Sequence, residues 1–262
     1  MRLNGAFWQG KTLSVGWAAL AALWLAVSMS GTAHAATLLL WPVHPVFAPG
    51  ESAAALWVEN RGDAATWLQV RVFAWQQANG ENHYREQQDV ISSPPMMQVG
   101  PGERHLVRLM RQTPAAPGTE TAWRVILDEV PQRSDARTGG PTRAGINLQM
   151  RYSLPLFGYG EGLEPVPPEP SGEVRAKLAW RVIQEGGKTY LEVANRGDVH
   201  ARLTDVSAVG AGGTIEVADG LLGYVLPHSR QRWPLPAASV DSLTARVNGR
   251  APALVARATD AP

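Results

Sequence analysis

The chain reads as an all-β protein whose strands pack as sandwiches in two successive parts. Three observations say so. Short runs that alternate apolar and polar residues recur between Gly-, Pro- and Asn-containing turns. Hardly any stretch shows a convincing helical period. A proline cluster in residues 162–171 separates one set of runs from another.

The first 35 residues are expected to lie outside the fold. Arg2 and Lys11 supply positive charge, Val15 to Val27 is apolar, and Ala33 and Ala35 fit an A-x-A cleavage pattern. Removal after Ala35 is the expectation, giving an export signal in 1–35 and mature parts in 36–164 and 165–262. Beyond the leader no apolar stretch is long enough to cross a bilayer, so membrane insertion after cleavage is not expected. The chain has no cysteine, which excludes disulfides, thiolate metal sites and a cysteine nucleophile. A formal net charge of +1 carries no message about nucleic acid.

Taken in order, Leu38 to Val46 is apolar but interrupted by Pro42 and Pro45, which suits an edge strand or one that switches sheets. Ala53 to Glu59 sets Ala55, Trp57 and Glu59 on one face and Leu56 and Val58 on the other. Thr66 to Phe73 alternates Trp67, Gln69 and Arg71 with Leu68, Val70 and Val72. The segment around Asn82-His83-Tyr84 reads as a polar hairpin turn. Val90-Ile91, His105 to Met110 and Trp123 to Val130 follow as strands. In Ala144 to Phe157, Ile146, Leu148 and Met150 alternate with Asn147, Gln149 and Arg151, and Tyr152 and Leu154 continue the apolar side. Such a strand suits either an interior place or an edge that pairs with another polypeptide. Gly162 to Ser171, with Pro165, Pro167, Pro168 and Pro170, is a stiff connector. After it, strands are expected at Arg175 to Val182, Thr189 to Ala194, Ala201 to Val209, Gly223 to Leu226, Gln231 to Leu235 and Ser242 to Val247.

The two parts echo each other. LWVENRGD at 56–63 resembles LEVANRGD at 191–198, and Val99 to Arg104 loosely resembles Val225 to Arg230. The two Arg-Gly-Asp tripeptides are turn chemistry, since Gly supplies positive φ and Asp bonds nearby backbone. Trp41, Trp57, Trp67, Trp75 and Trp123 are read as core filling rather than as a sugar platform. His44, His83, His105, His200 and His228 show no metal-ligand spacing, and no nucleophile elbow, P-loop or dinucleotide fingerprint occurs.

Together these segments resemble the PapD-like periplasmic pilus and fimbrial assembly chaperones. The resemblance rests on PVFAPGE at 45–51, Ser93-Pro94-Pro95 before VGPGE at 99–103, WRVILDEVP at 123–131 and YSLPLF at 152–157. The last two look more similar to the archaic, spore-coat-protein-U-associated branch. The resemblance implies two immunoglobulin-like β-sandwich domains at an angle around a cleft. It implies a periplasmic chaperone, without enzyme activity or cofactor, that lends its own strand to pilin-like subunits and delivers them to an outer-membrane usher. The donor residues would be Ile146, Leu148 and Met150. Three such side chains could contribute about 5–9 kcal/mol before ordering costs. The family anchors the subunit's terminal carboxylate with basic side chains in the cleft. Here the usual arginine falls on His44 and the usual lysine on Pro155, so the candidates are Arg124, Arg151 and His44. Residues 132–143 would be the connection into the donor strand. The competing expectations are a secreted two-domain adhesin or structural pilus component, and a sugar-processing enzyme on a sandwich scaffold.

Overall fold

A computed structural model describes residues 38–131, 149–166, 176–237 and 239–258. The expected leader, residues 132–148 and Pro167, Pro168 and Pro170 of the connector lie outside the described residues. Every regular element among the described residues is a strand.

Alternation in the sequence becomes burial. β3 (Ala53–Asn60) turns Leu56 and Val58 inward, and β4 (Thr66–Ala78) turns Leu68 and Val70 inward. β1 (Leu38–Trp41), β3, β8 (Arg104–Arg111) and β6 (Val90–Ser93) form one sheet in the order β1-β3-β8-β6. The facing sheet runs β2 (Val46–Phe47), β10 (Arg151–Tyr159), β9 (Glu120–Val130), β4 and β5 (Glu81–Arg85), with β7 (Met96–Val99) also pairing with β4. Between them lies a core that includes Leu56, Leu68, Val107, Leu109, Val125, Leu127 and Leu156. Each fully buried aliphatic side chain of this kind contributes about 1.5–3 kcal/mol. The prolines around residues 42–45 divide the first apolar run, so that β1 joins one sheet and β2 the other.

The remaining seven strands are β11 (Leu178–Glu185), β12 (Lys188–Asn195), β13 (Ala201–Gly210), β14 (Gly213–Val225), β15 (Ser229–Pro234), β16 (Ser242–Val247) and β17 (Ala253–Arg257). They form one sheet in the order β14-β13-β16-β17-β11-β12-β15. β17 holds it together, pairing antiparallel with β16 and parallel with β11, and the sheet encloses a second core around Trp180, Leu191, Val193, Leu203 and Leu243.

The structure corrects two sequence readings. Asn82, His83 and Tyr84 lie in β5, not in a turn. The reversal is at Asn79-Gly80, both at positive φ (56° and 80°), the geometry that Asn-Gly favours in a two-residue hairpin. Of the tryptophans, Trp75 and Trp123 are buried, but Trp41 and Trp57 stack half-buried on a sheet face with ring centroids 6.2 Å apart.

The echo between the two parts is structural. Asn60 and Asn195 are both buried, and each donates through Nδ2 to the carbonyl four residues on, Ala64 (2.7 Å) and Val199 (2.8 Å). Each also donates to Val99 or Val225 (3.0 and 3.1 Å), the first residue of the second repeated segment. Each Oδ1 accepts the amide of the Gly in Arg-Gly-Asp at 2.9 Å.

Candidate functional site

β10 pairs with β9 along its whole length, Arg151 opposite Asp128 through Tyr159 opposite Glu120. On its other side, among the described residues, only Phe157 and Gly158 are paired, in parallel with Val46 and Phe47 of β2. Among the described residues, no strand covers the outer side of Arg151–Leu156. The hydrogen-bond phase follows from Glu129 N–H donating to Met150 O at 3.1 Å. Antiparallel pairs alternate, so the even-numbered residues of β10 bond to β9 and the odd-numbered ones face outward. Phe157 N–H, which reaches Pro45 O at 3.4 Å, confirms that phase. The rim therefore offers N–H and C=O of Arg151 and Ser153, and only C=O of Pro155. A proline at this position costs no ladder bond. Inward, Tyr152 and Leu154 pack on the first core. Met150, just before the strand, is 46% exposed. Ile146 and Leu148 lie outside the described residues.

Arg124, opposite Pro155 on β9, reaches the cleft between the two sandwiches. Its guanidinium lies 3.9 Å from the Trp75 ring centroid and 5.4 Å from that of Tyr224, with Tyr84 beside it. Its Nε is buried without a partner, and burial pulls its pKa below the usual guanidinium value. His44, between β1 and β2, faces the same cleft. Arg202 Nη1 donates to His44 Nε2 at 3.3 Å, and Tyr224 Oη lies 3.4 Å from Nδ1. An arginine only donates, so Nε2 is the accepting nitrogen and the imidazole is neutral. Burial, reinforced by Arg202, His200 and Arg124, lowers its pKa from 6.5 to about 4.

The frame of the cleft is polar and specific. Glu120, with no exposed side-chain surface, accepts from the backbone N–H of His200 at 3.1 Å and pairs with its Nδ1 at 2.9 Å. The His200 ring stacks on Phe157 at 3.7 Å. Gln77 donates to Tyr224 O and accepts from Leu226 N–H, both at 2.8 Å. A cavity of about 450 Å³ opens beside His44, Arg202 and Tyr224.

Of the predicted anchors, the structure brings His44 and Arg124 to one cleft and places Arg151 elsewhere. Arg151 sits at the far end of β10, exposed and bound to Asp128, which also holds Arg71 at 2.6 Å. Sequence reasoning missed the second sandwich's share: Arg202, Tyr224 and His200. No periodicity or spacing links residue 124 to residues 200–224, so only the fold reveals them.

Residues 43–163 match the family described as pili and flagellar-assembly chaperone, PapD N-terminal domain. No curated protein matches in sequence. Among solved structures, the chain is similar to one in the CsuC–CsuE chaperone–tip adhesion subunit pre-assembly complex from archaic chaperone-usher Csu pili of Acinetobacter baumannii. Identity is 29% and the TM-score 0.68, over 84% of this chain and 97% of that one. A chain from the Salmonella enterica SafA pilin–SafB chaperone complex gives 19% identity and a TM-score of 0.56, over 81% and 90%. The Pseudomonas aeruginosa CupB2 chaperone gives 18% and 0.55, over 84% and 100%. These last two likenesses speak to the fold, two immunoglobulin-like sandwiches. Residues 43–163, which contain the open β10 rim, thus carry the PapD N-terminal domain of the pilus-assembly chaperones, and the likeness to the archaic chaperone complex runs through both sandwiches.

Proposed function

We propose that this protein is a periplasmic chaperone of the archaic chaperone-usher type that completes pilin-like subunits with its own strand and passes them to an outer-membrane usher. Residues 1–35 act as the export signal. Residues 36–164 hold the guest, and residues 165–262 close the cleft. The observation that carries this reading is the outer side of β10, which presents backbone donors and acceptors beside a cationic cleft. An incomplete sandwich has the complementary defect, an unpaired edge and an exposed apolar groove. Met150 begins the apolar row on the chaperone's side, and Ile146 and Leu148 continue it in the sequence. Arg124 and His44 receive the guest's terminal carboxylate. Arg124 has no acidic partner among the described residues, so an incoming carboxylate meets an uncommitted guanidinium. Arg151 holds Asp128 and contributes at the rim rather than in the cleft.

Coexpression with candidate pilin-like subunits, followed by copurification, tests the reading. Replacing Ile146, Leu148 and Met150 together by Asp is expected to abolish recovery of the subunit while leaving the chaperone folded. Full recovery with that variant would overturn strand donation. Full recovery with Arg124→Gln and His44→Gln combined would remove the anchor assignment alone.

A further inference from the structure

Sulfur in this chain is confined to methionine, since the sequence holds six methionines and no cysteine. Among the described residues Met97 is buried and Met110 half-buried, whereas Met96 is 49% and Met150 46% exposed. The backbone of Met150 is held from both sides. Its N–H donates to Glu129 Oε2 at 3.3 Å, and its carbonyl accepts the Glu129 N–H at 3.1 Å. The thioether therefore meets solvent from a backbone whose two polar groups are already satisfied.

Met150 also stands at a particular step of the alternation. Tyr152 and Leu154 pack on the first core, and Met150, two residues earlier on the same side of the run, falls where that core ends. In the sequence this side carries Ile146, Leu148, Tyr152 and Leu154, so Met150 is its one sulfur. An unbranched thioether adapts to an irregular apolar surface, as Ile and Leu do less well. The same choice places an oxidisable atom in a row whose aliphatic members do not react with mild oxidants.

We propose that Met150 is a reversible oxidation site, and that its sulfoxide loosens the hold on a guest strand. The loosening, though not the oxidation, rests on the chaperone reading above. A hydroperoxide supplies the oxygen. With hydrogen peroxide, a sulfur lone pair attacks one peroxide oxygen, the O–O bond breaks as the S–O bond forms, and water leaves. Sulfur loses the two electrons that the peroxide gains. The product is polar and chiral, and an apolar groove offers its oxygen no hydrogen-bond donor. A thiol-dependent sulfoxide reductase reverses the step: two thiols become a disulfide and the oxygen leaves as water. The bonds from Glu129 reach only the backbone, so the change stays in the side chain.

Hydrogen peroxide titrated onto the purified protein, followed by peptide mass spectrometry, reads the site without any guest. Sulfoxide is expected at Met150 and Met96 well before Met97, with an unchanged melting temperature. Treated and untreated protein are then compared in capture of the pilin-like subunit that copurifies on coexpression, diluted from denaturant in their presence. Oxidised protein should capture it roughly ten- to a hundredfold more weakly, the equivalent of one buried apolar side chain. Met150→Leu should capture normally before and after peroxide, while Met96→Leu should stay sensitive. Sulfoxide reductase with dithiothreitol should restore the oxidised wild-type protein. Met150 reacting no faster than Met97 would overturn the site. Undiminished capture once Met150 is oxidised, or an equal loss in Met150→Leu, would overturn the loosening. If untreated protein captures no subunit, the guest-binding reading falls and takes the loosening with it, while the peptide map still decides the oxidation site.

Discussion

Asn60 and Asn195 each close a strand end with the same three hydrogen bonds, in two different sandwiches. The carboxamide is the one side chain that both donates twice and accepts at this reach, which is why the echo in the sequence has a structural counterpart. Replacing either by Ala strands buried backbone groups and is expected to cost about 2–4 kcal/mol, read from urea midpoints. Asp is expected to do no better, because it cannot supply the two donors. His44 makes a different prediction. Its folded pKa of about 4 lies below the ordinary 6.5, so the unfolded chain takes up the proton first as pH falls. Stability should therefore be lost between about pH 6.5 and pH 4, and His44→Gln should flatten that part of the profile. Unchanged pH dependence in the variant would contradict the burial argument. The Asn echo was legible because it is local. The meeting of Arg124, His44 and Arg202 was not, because it joins segments whose separation carries no pattern.

β10 was legible as a strand because Tyr152 and Leu154 alternate with Arg151 and Ser153, and the run of Trp123–Val130 that became its partner β9 was legible too. Its hydrogen-bond phase was not, since that depends on the register. The phase gives a sharp contrast. Ser153→Pro removes an outward N–H and no ladder bond, so melting should shift little while subunit capture falls several-fold. Leu154→Pro removes a bond to β9 and is expected to cost about 1–3 kcal/mol. Equal destabilisation by both would refute the assigned phase. The missed strands have physical reasons too. β5 is exposed throughout and shows no alternation, β17 is short and largely exposed, and β14 is interrupted by Gly220 and Gly223 where its register with β13 shifts. Asn79-Gly80 was the readable signal for the β4–β5 hairpin, and the polar run after it drew the turn to the wrong place.

The described residues belong to one compact unit, and besides the contacts around His44 and Phe157 further hydrogen bonds tie its two sandwiches together. They are Gln77 with Tyr224 and Leu226, Glu120 with His200, and the hairpin tip, where Arg232 N–H donates to Gly80 O at 3.1 Å. Around them Trp75, Phe157, Tyr159, Val199, Tyr224 and Leu226 form an apolar joint. Gln77→Ala should speed amide exchange at Leu226, whose N–H loses its acceptor, without a comparable change at Val125 in the first core. Gly80→Ala should be worse tolerated. A Cβ there would lie 2.4 Å from Arg232 Cδ, and φ is +80°. A lower melting temperature and faster Leu226 exchange are the expected readouts. An unaltered Gly80→Ala protein would mean that the tip does not bear on the joint.

Pro155 marks the place where the exposed margin of β10 stops being able to give a proton. A polypeptide laid along it finds amide hydrogens at 151 and 153 and then a position that only receives. Sliding two residues toward Tyr159 would leave a visiting carbonyl facing a ring carbon, so the margin itself carries a stop, independent of any charge in the cleft.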